Sequence, residues 1–253
     1  MKLPPDWDQP SPDNMAICDK FTYATYDYSG ELPYRLFAPD TASKCPLVVY
    51  LHGADAYGKD NELQLTMHDI GTVFARDDWQ KEHPCFVLAP QCNHGRHWSG
   101  FLDGSRVVSL VKELTAQYTN IDTHRLYIYG YSAGGVGTLG IIKYHPDVFA
   151  AAVSICGATG KEDLKALTEI PLWLLHAADD QIVKASYKSS DGIMSHLGSR
   201  DLYEVLRDKH PDLHYTEYAT GSMKETYGIN PHCSWVPAGQ DNEVKEWLFS
   251  KVK

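Results

Sequence analysis

Arg125-Leu126-Tyr127-Ile128-Tyr129-Gly130-Tyr131-Ser132-Ala133-Gly134-Gly135 is a strand-like run that passes through Gly-x-Ser-x-Gly into a helix-like run, 133–144. A chain that reverses so sharply between strand and helix leaves no room for side chains two residues before and two residues after the serine, because those positions pack on each other and on the next strand. Gly130 and Gly134 meet that requirement. Ser132 is then held exposed at the positive end of a helix, with the Ala133 N–H aimed at an oxygen that becomes negative during attack. The plainer alternative is a structural tight turn without chemistry.

Outward from this turn, short runs rich in Val, Ile, Leu or Tyr recur at residues 46–51, 85–89, 125–129, 150–155, 171–175 and 214–218. Each is too short for a helix and reads as a buried strand. Residues 21–28 and 33–39 alternate and are joined through Ser29-Gly30, as in an antiparallel hairpin. Helical spacing is clearest over 105–118, where Val108, Leu110, Val111, Leu114 and Tyr118 recur, and again over 133–144 and 242–251. Strand and helix in alternation predict an α/β fold with a mostly parallel central sheet covered on both faces, its ligands lying beyond the carboxyl ends of the strands. The segment 157–169 is too short to insert a large lid domain. Residues 1–20 read as a lead-in, the first fifteen of them unstructured, and 21–253 as one catalytic domain.

Serine is a weak nucleophile and needs a base within hydrogen-bond reach and an acid to orient that base. After the strand at 171–175 comes His176-Ala177-Ala178-Asp179-Asp180-Gln181-Ile182-Val183. A carboxylate belongs there, and by position alone either Asp179 or Asp180 serves, or the pair only caps a helix. Beyond the last strand, Asn230-Pro231-His232-Cys233-Ser234-Trp235 delivers His232 as the natural base, whereas His210 and His214 fall near that strand's wrong end. A second oxyanion donor is expected after the strand at 46–51, where His52-Gly53-Ala54 supplies the N–H of Ala54 beside that of Ala133. The alternative there is a plain turn with a buried His52.

Composition limits the remaining choices. With 253 residues the chain can bury about three quarters of its unfolded surface without staples. Its 23 basic and 33 acidic residues give a net charge of −10, which argues against a nucleic-acid partner and against docking on an anionic membrane. No run of about 18 apolar residues suggests a membrane span. The opening Met1-Lys2-Leu3-Pro4-Pro5-Asp6-Trp7-Asp8 lacks the apolar core of a secretory leader, so a cytoplasmic location is expected for this chain, and a secreted or periplasmic one if a leader has been removed. Six cysteines allow fifteen complete pairings; free thiols in a reducing compartment are the simpler expectation.

Several motifs in order resemble the α/β-hydrolase esterases grouped with carbohydrate esterases, feruloyl esterases and polyhydroxybutyrate-depolymerase-like enzymes. They are Leu32 through Pro39, Tyr50-Leu51-His52-Gly53-Ala54, Gly58 through Leu65 with its Asp-Asn and Gln-Leu pairs, Phe86 through Cys92, and His232 followed by Trp235. The family's acid motif places its aspartate four residues after a histidine and three before a valine, which selects Asp180 between His176 and Val183. Ala177 and Lys184 depart from the glycine and proline usual in that motif. The resemblance implies ester hydrolysis through a Ser132-His232-Asp180 triad and an acyl-enzyme, with no cofactor and no metal. It favours feruloyl or acetyl esters carried on plant carbohydrate, as a small molecule or on a polysaccharide.

Tyr57, Gln91, Trp98 and Trp235 are the loop residues expected to line the substrate site, the aromatic ones suiting cinnamoyl or sugar groups. Short-chain carboxylesterase, lipase or peptidase activity would use the same three residues. An alternative of another class is a glycan-binding module, or a metal-binding one built on Cys92-x-His94-x-x-His97.

Overall fold

In a computed structural model describing residues 11–187 and 196–253, eight strands form one sheet. They are β1 (Thr22–Asp27), β2 (Glu31–Phe37), β3 (Cys45–Leu51), β4 (Phe86–Pro90), β5 (Ile121–Tyr131), β6 (Ala151–Ile155), β8 (Leu172–Ala177) and β10 (Leu213–Tyr218), in the spatial order β1-β2-β4-β3-β5-β6-β8-β10. β1 pairs with β2, and β2 with β4, antiparallel, while the other neighbouring strands in this sheet are parallel. A second, two-stranded sheet joins β7 (Ala158–Gly160) to β9 (His196–Gly198). The hairpin and the parallel sheet expected from the apolar runs are both present.

Two cores lie on opposite faces of the large sheet, and the period-two alternation of strand side chains sorts residues between them. On one face Tyr50, Tyr127, Tyr129, Val153 and Leu175 meet Phe74, Trp79 and Leu248; on the other Leu47, Val49, Ile128 and Leu174 meet Val107, Val111, Leu139 and Leu202. Helices α4 (Phe101–Gln117), α5 (Ala133–Tyr144) and α6 (Ser199–Leu206) therefore pack on one side, and α3 (Asp77–Glu82) and α9 (Asn242–Phe249) on the other. Every residue of β3, β4, β6 and β8 is buried, which is why these strands read as unbroken apolar runs. The edge strands β1 and β10 hold only exposed and half-buried positions. Among the described residues no helix is long and apolar enough to cross a membrane, and all six cysteines are buried free thiols.

The structure departs from expectation at the first segment. Residues 1–10 of the expected lead-in lie outside the described residues, but Pro12–Cys18 forms α1. Its Ser11-Pro12-Asp13 start combines a favourable cap residue, a proline at the first helical position and an acid in the first turn. α1 is anchored by polar bonds: buried Asn14 donates to Asp69 Oδ1 at 2.9 Å and accepts from Thr72 Oγ1 at 2.8 Å. α4 also begins four residues earlier than its apolar period suggests. Phe101 and Leu102 are exposed, and Gly104 brings the helix against Ile141 of α5. The short helices α2 (Leu63–Thr66), α7 (Ser222–Tyr227) and α8 (Trp235–Gln240) complete the order.

Candidate active site

β5 ends at Tyr131 and α5 starts at Ala133, so Ser132 is the single residue of the reversal, with φ +52° and ψ −119°. The backbone is that tight because glycines allow it: a Cβ on Gly134 would lie 1.9 Å from the Leu51 carbonyl oxygen, and one on Gly130 2.6 Å from that of Gly134. The serine amide donates to the Ile155 carbonyl at 3.0 Å, which ties the turn to the end of β6. Partly exposed Ser132 thus sits at the amino end of α5, whose first-turn amides have no earlier carbonyl in the helix to bond.

His232 occupies a 3₁₀ turn, Pro231–Cys233, started by Asn230, whose side chain accepts the His232 amide at 2.9 Å. Its Nε2 lies 2.9 Å from Ser132 Oγ and its Nδ1 2.7 Å from Asp180 Oδ2. An ionised carboxylate only accepts, so the imidazole donates from Nδ1 and Nε2 is left to accept the serine hydroxyl. Asp180 follows β8 and is 2% exposed; its Oδ1 accepts the amides of Ile182 at 2.8 Å and Val183 at 3.2 Å. Burial pushes this carboxyl up, but hydrogen bonds with His176 and His232, the His232 charge and the Ile182 amide outweigh it and hold it at about 2. Fully buried His176 meets the same Oδ2 at 3.2 Å, the Val183 carbonyl at 2.8 Å and Ser199 Oγ at 2.8 Å. Asp179 turns away, and its Oδ2 accepts the Gly221 amide at 3.0 Å.

On the other side of the serine, the loop after β3 is oriented by His52. Its Nε2 accepts the Cys92 amide at 2.9 Å, so Nδ1 carries the proton and donates to the Gly53 carbonyl at 2.6 Å. Burial pushes this imidazole down to about 4. In a planar trans peptide the N–H points opposite to the C=O, so fixing the Gly53 carbonyl also fixes the direction of the Ala54 N–H. His52 is buried, as in the plain-turn alternative, but its ring holds the peptide that carries the expected donor.

Two expected substrate contacts are corrected. Trp98 is 1% exposed, donates from Nε1 to the His52 carbonyl at 3.0 Å and meets the His52 ring edge-on. Gln91 is fully buried, accepting the Asn61 amide at 2.6 Å and donating to the Ala56 carbonyl at 3.2 Å. Both brace the 52–61 loop from inside. Trp235 is also buried, its ring edge-on to His232 with centroids 5.5 Å apart, and Tyr57 is half-buried beside His52 and His94. A cavity of about 600 Å³ opens beside Trp235, lined by His68, Ile70, Trp79 and Lys245 among others, but its described lining includes neither Ser132 nor His232.

Cys92 and its neighbouring histidines do not form a metal site: among the described residues no group of three or more His, Cys, Asp or Glu is placed to hold an ion. Cys92 is buried, which pushes its thiol up to about 12. Asp55, Tyr131 and His68, which hydrogen-bond or pack together beside Ser132, are not singled out by the sequence reading. Each sits next to a motif residue or between motifs, and its type alone carries no signal.

Residues 103–190 match the Prolyl oligopeptidase family, a span that includes Ser132 and Asp180. The bifunctional acetylxylan esterase/xylanase XynS20E of Neocallimastix patriciarum is 26% identical over 168 residues, 63% of this chain and 23% of that protein. Among solved structures, a thermostable esterase is 37% identical with a TM-score of 0.84 and is matched over 94% of this chain and 64% of its own. Est1E from Butyrivibrio proteoclasticus has the same fold at 12% identity, with a TM-score of 0.60 over 90% of this chain and 98% of its own. The chain thus spans less than two thirds of both the acetylxylan esterase/xylanase and the thermostable esterase.

Proposed function

We propose that this chain, which has the α/β-hydrolase fold, is a serine carboxylic-ester hydrolase. The observation that carries this reading is the unbroken run of hydrogen bonds from Ser132 Oγ through His232 to Asp180 at the carboxyl ends of the parallel strands. Ser132 Oγ attacks the ester carbonyl while its proton passes to His232 Nε2. The carbonyl oxygen becomes an oxyanion held by the N–H groups of Ala54 and Ala133. The imidazolium, stabilised by Asp180, returns the proton to the departing alcohol oxygen, leaving Ser132 acylated. Water then loses a proton to His232 and attacks the acyl carbon, and the same proton restores the serine hydroxyl as the acid departs.

The substrate class we favour is an acyl ester of plant carbohydrate, acetyl or feruloyl. It is supported by the partial similarity to an acetylxylan esterase/xylanase and by the residues that resemble carbohydrate esterases. Peptide-bond hydrolysis by the same three residues is the second reading, favoured by the match of residues 103–190 to the Prolyl oligopeptidase family. Initial rates on p-nitrophenyl acetate, methyl ferulate, acetylated xylan and a peptide p-nitroanilide, for wild type and Ser132→Ala, decide between them. Ester hydrolysis lost in the variant is expected, with xylan deacetylation or ferulate release exceeding peptide cleavage. A wild type that cleaves only the anilide, or a Ser132→Ala variant as active as wild type, contradicts it.

A further inference from the structure

Asp55 lies one residue beyond Ala54, and its carboxylate spans three parts of the chain. Oδ1 accepts a hydrogen bond from the Tyr131 hydroxyl at 2.8 Å, and Oδ2 meets His68 Nε2 at 2.5 Å. Tyr131 is buried and immediately precedes Ser132. One side chain therefore links the residue after one proposed oxyanion donor to the residue before the nucleophile, whose successor Ala133 supplies the other donor. The link is tight: a Cβ on Gly53 would stand 2.4 Å from the Tyr131 ring and 2.7 Å from Asp55 Oδ1. His68 is set in turn between the rings of Tyr131 and Trp235, with centroids at 5.6 and 5.2 Å. Burial raises the Asp55 carboxyl, yet hydrogen bonds and charge from His68, with the Tyr131 hydroxyl, bring it below the ordinary range, so it acts as an acceptor.

We propose that Asp55 is a positioning residue for ester hydrolysis, fixing the Gly53–Ala54 peptide against Tyr131 so that the Ala54 and Ala133 N–H groups converge on one oxyanion. This rests on the serine-hydrolase reading above. His52 sets the direction of the Ala54 N–H by holding the carbonyl of its peptide, and Asp55 sets the distance of that peptide from the nucleophile. An oxyanion forms only on the way to the tetrahedral intermediate, so loss of the link lowers kcat and leaves KM nearly unchanged. The role is geometric: a carboxylate near a developing negative charge repels it, so the charge itself contributes nothing favourable. Asparagine keeps an acceptor for the Tyr131 hydroxyl and should preserve the function.

The test compares wild type, Asp55→Asn, Asp55→Ala and Tyr131→Phe for kcat and KM on p-nitrophenyl acetate. Binding of an aryl trifluoromethyl ketone, whose adduct with a serine carries an oxyanion, is measured alongside. Asp55→Ala and Tyr131→Phe are expected to lose about ten- to hundredfold in kcat, with KM little changed and ketone affinity reduced in step. Asp55→Asn is expected to stay near wild type. Unchanged kcat in Tyr131→Phe, a loss confined to KM, or Asp55→Asn falling as far as Asp55→Ala overturns the proposal. Tyr131→Phe removes one hydroxyl and keeps the ring, so it decides the matter even if Asp55→Ala does not fold. A wild type that neither hydrolyses esters nor binds the ketone overturns the hydrolase reading and this role together, whereas an active wild type with insensitive variants overturns this role alone.

Discussion

Asp179 and Asp180 are adjacent, identical in type and both hydrogen-bonded, yet only Asp180 faces His232. Asp180→Asn should lower kcat by about 10³- to 10⁴-fold, because an amide at that position favours the wrong imidazole tautomer. Asp179→Asn, which disturbs only the contact with the Gly221 amide, should stay within about tenfold. Steady-state rates on one ester compare the two, and equal losses would contradict the assignment. Position along the chain leaves this pair open, since neighbours at a loop differ in direction and not in composition. The same blindness to direction explains Trp98 and Gln91, which read as loop residues suited to a ligand but turn inward to brace the 52–61 loop. Ser132 itself shows what the site costs: at φ +52° a side chain is strained, so Ser132→Gly should be inactive yet about 1 kcal/mol more stable in denaturant unfolding. A less stable glycine variant would argue that the turn is not strained.

At the scale of elements, the strand–turn–helix unit depends on three backbones meeting, those of β3, β5 and α5. Gly134→Ala puts a carbon 1.9 Å from the Leu51 carbonyl oxygen, a backbone group that cannot step aside. It should destabilise the fold by about 3 kcal/mol or more. A melting temperature equal to that of wild type would count against the tight turn. This unit and the buried strands are legible in the sequence because steric exclusion and two-faced burial leave direct marks, glycines at fixed spacing and apolar runs. α1 leaves a weaker mark, since Asn14 and not an apolar stripe fastens it. The start of α4 is hidden for a related reason, with exposed Phe101 and Leu102 breaking its pattern.

For the whole molecule, acid should loosen the fold in two stages. His52 in the folded protein protonates only near pH 4, whereas in the unfolded chain it takes a proton from about pH 6.5, so its contribution to stability is lost as pH falls between those values. Asp180, held at about 2 when folded, adds a second loss below about pH 4 as the unfolded carboxyl protonates first. Melting temperature measured from pH 7 to pH 4 should therefore decline, and a flat or rising profile would contradict the burial of a neutral His52. The loop after β3, the turn at Ser132 and the loop after β8 come from segments far apart in sequence, and the sheet order brings them together at the carboxyl ends of β3, β5 and β8. In the proposed mechanism that assembly serves one event, the acylation of Ser132 through a tetrahedral intermediate. Intact-mass and peptide analysis of protein quenched soon after mixing with p-nitrophenyl acetate tests it most directly. One acetyl group on the peptide containing Ser132, absent in Ser132→Ala and accumulating in a variant with slowed deacylation, is expected; ester hydrolysis with no adduct under any quench, or an adduct on another residue, would contradict it.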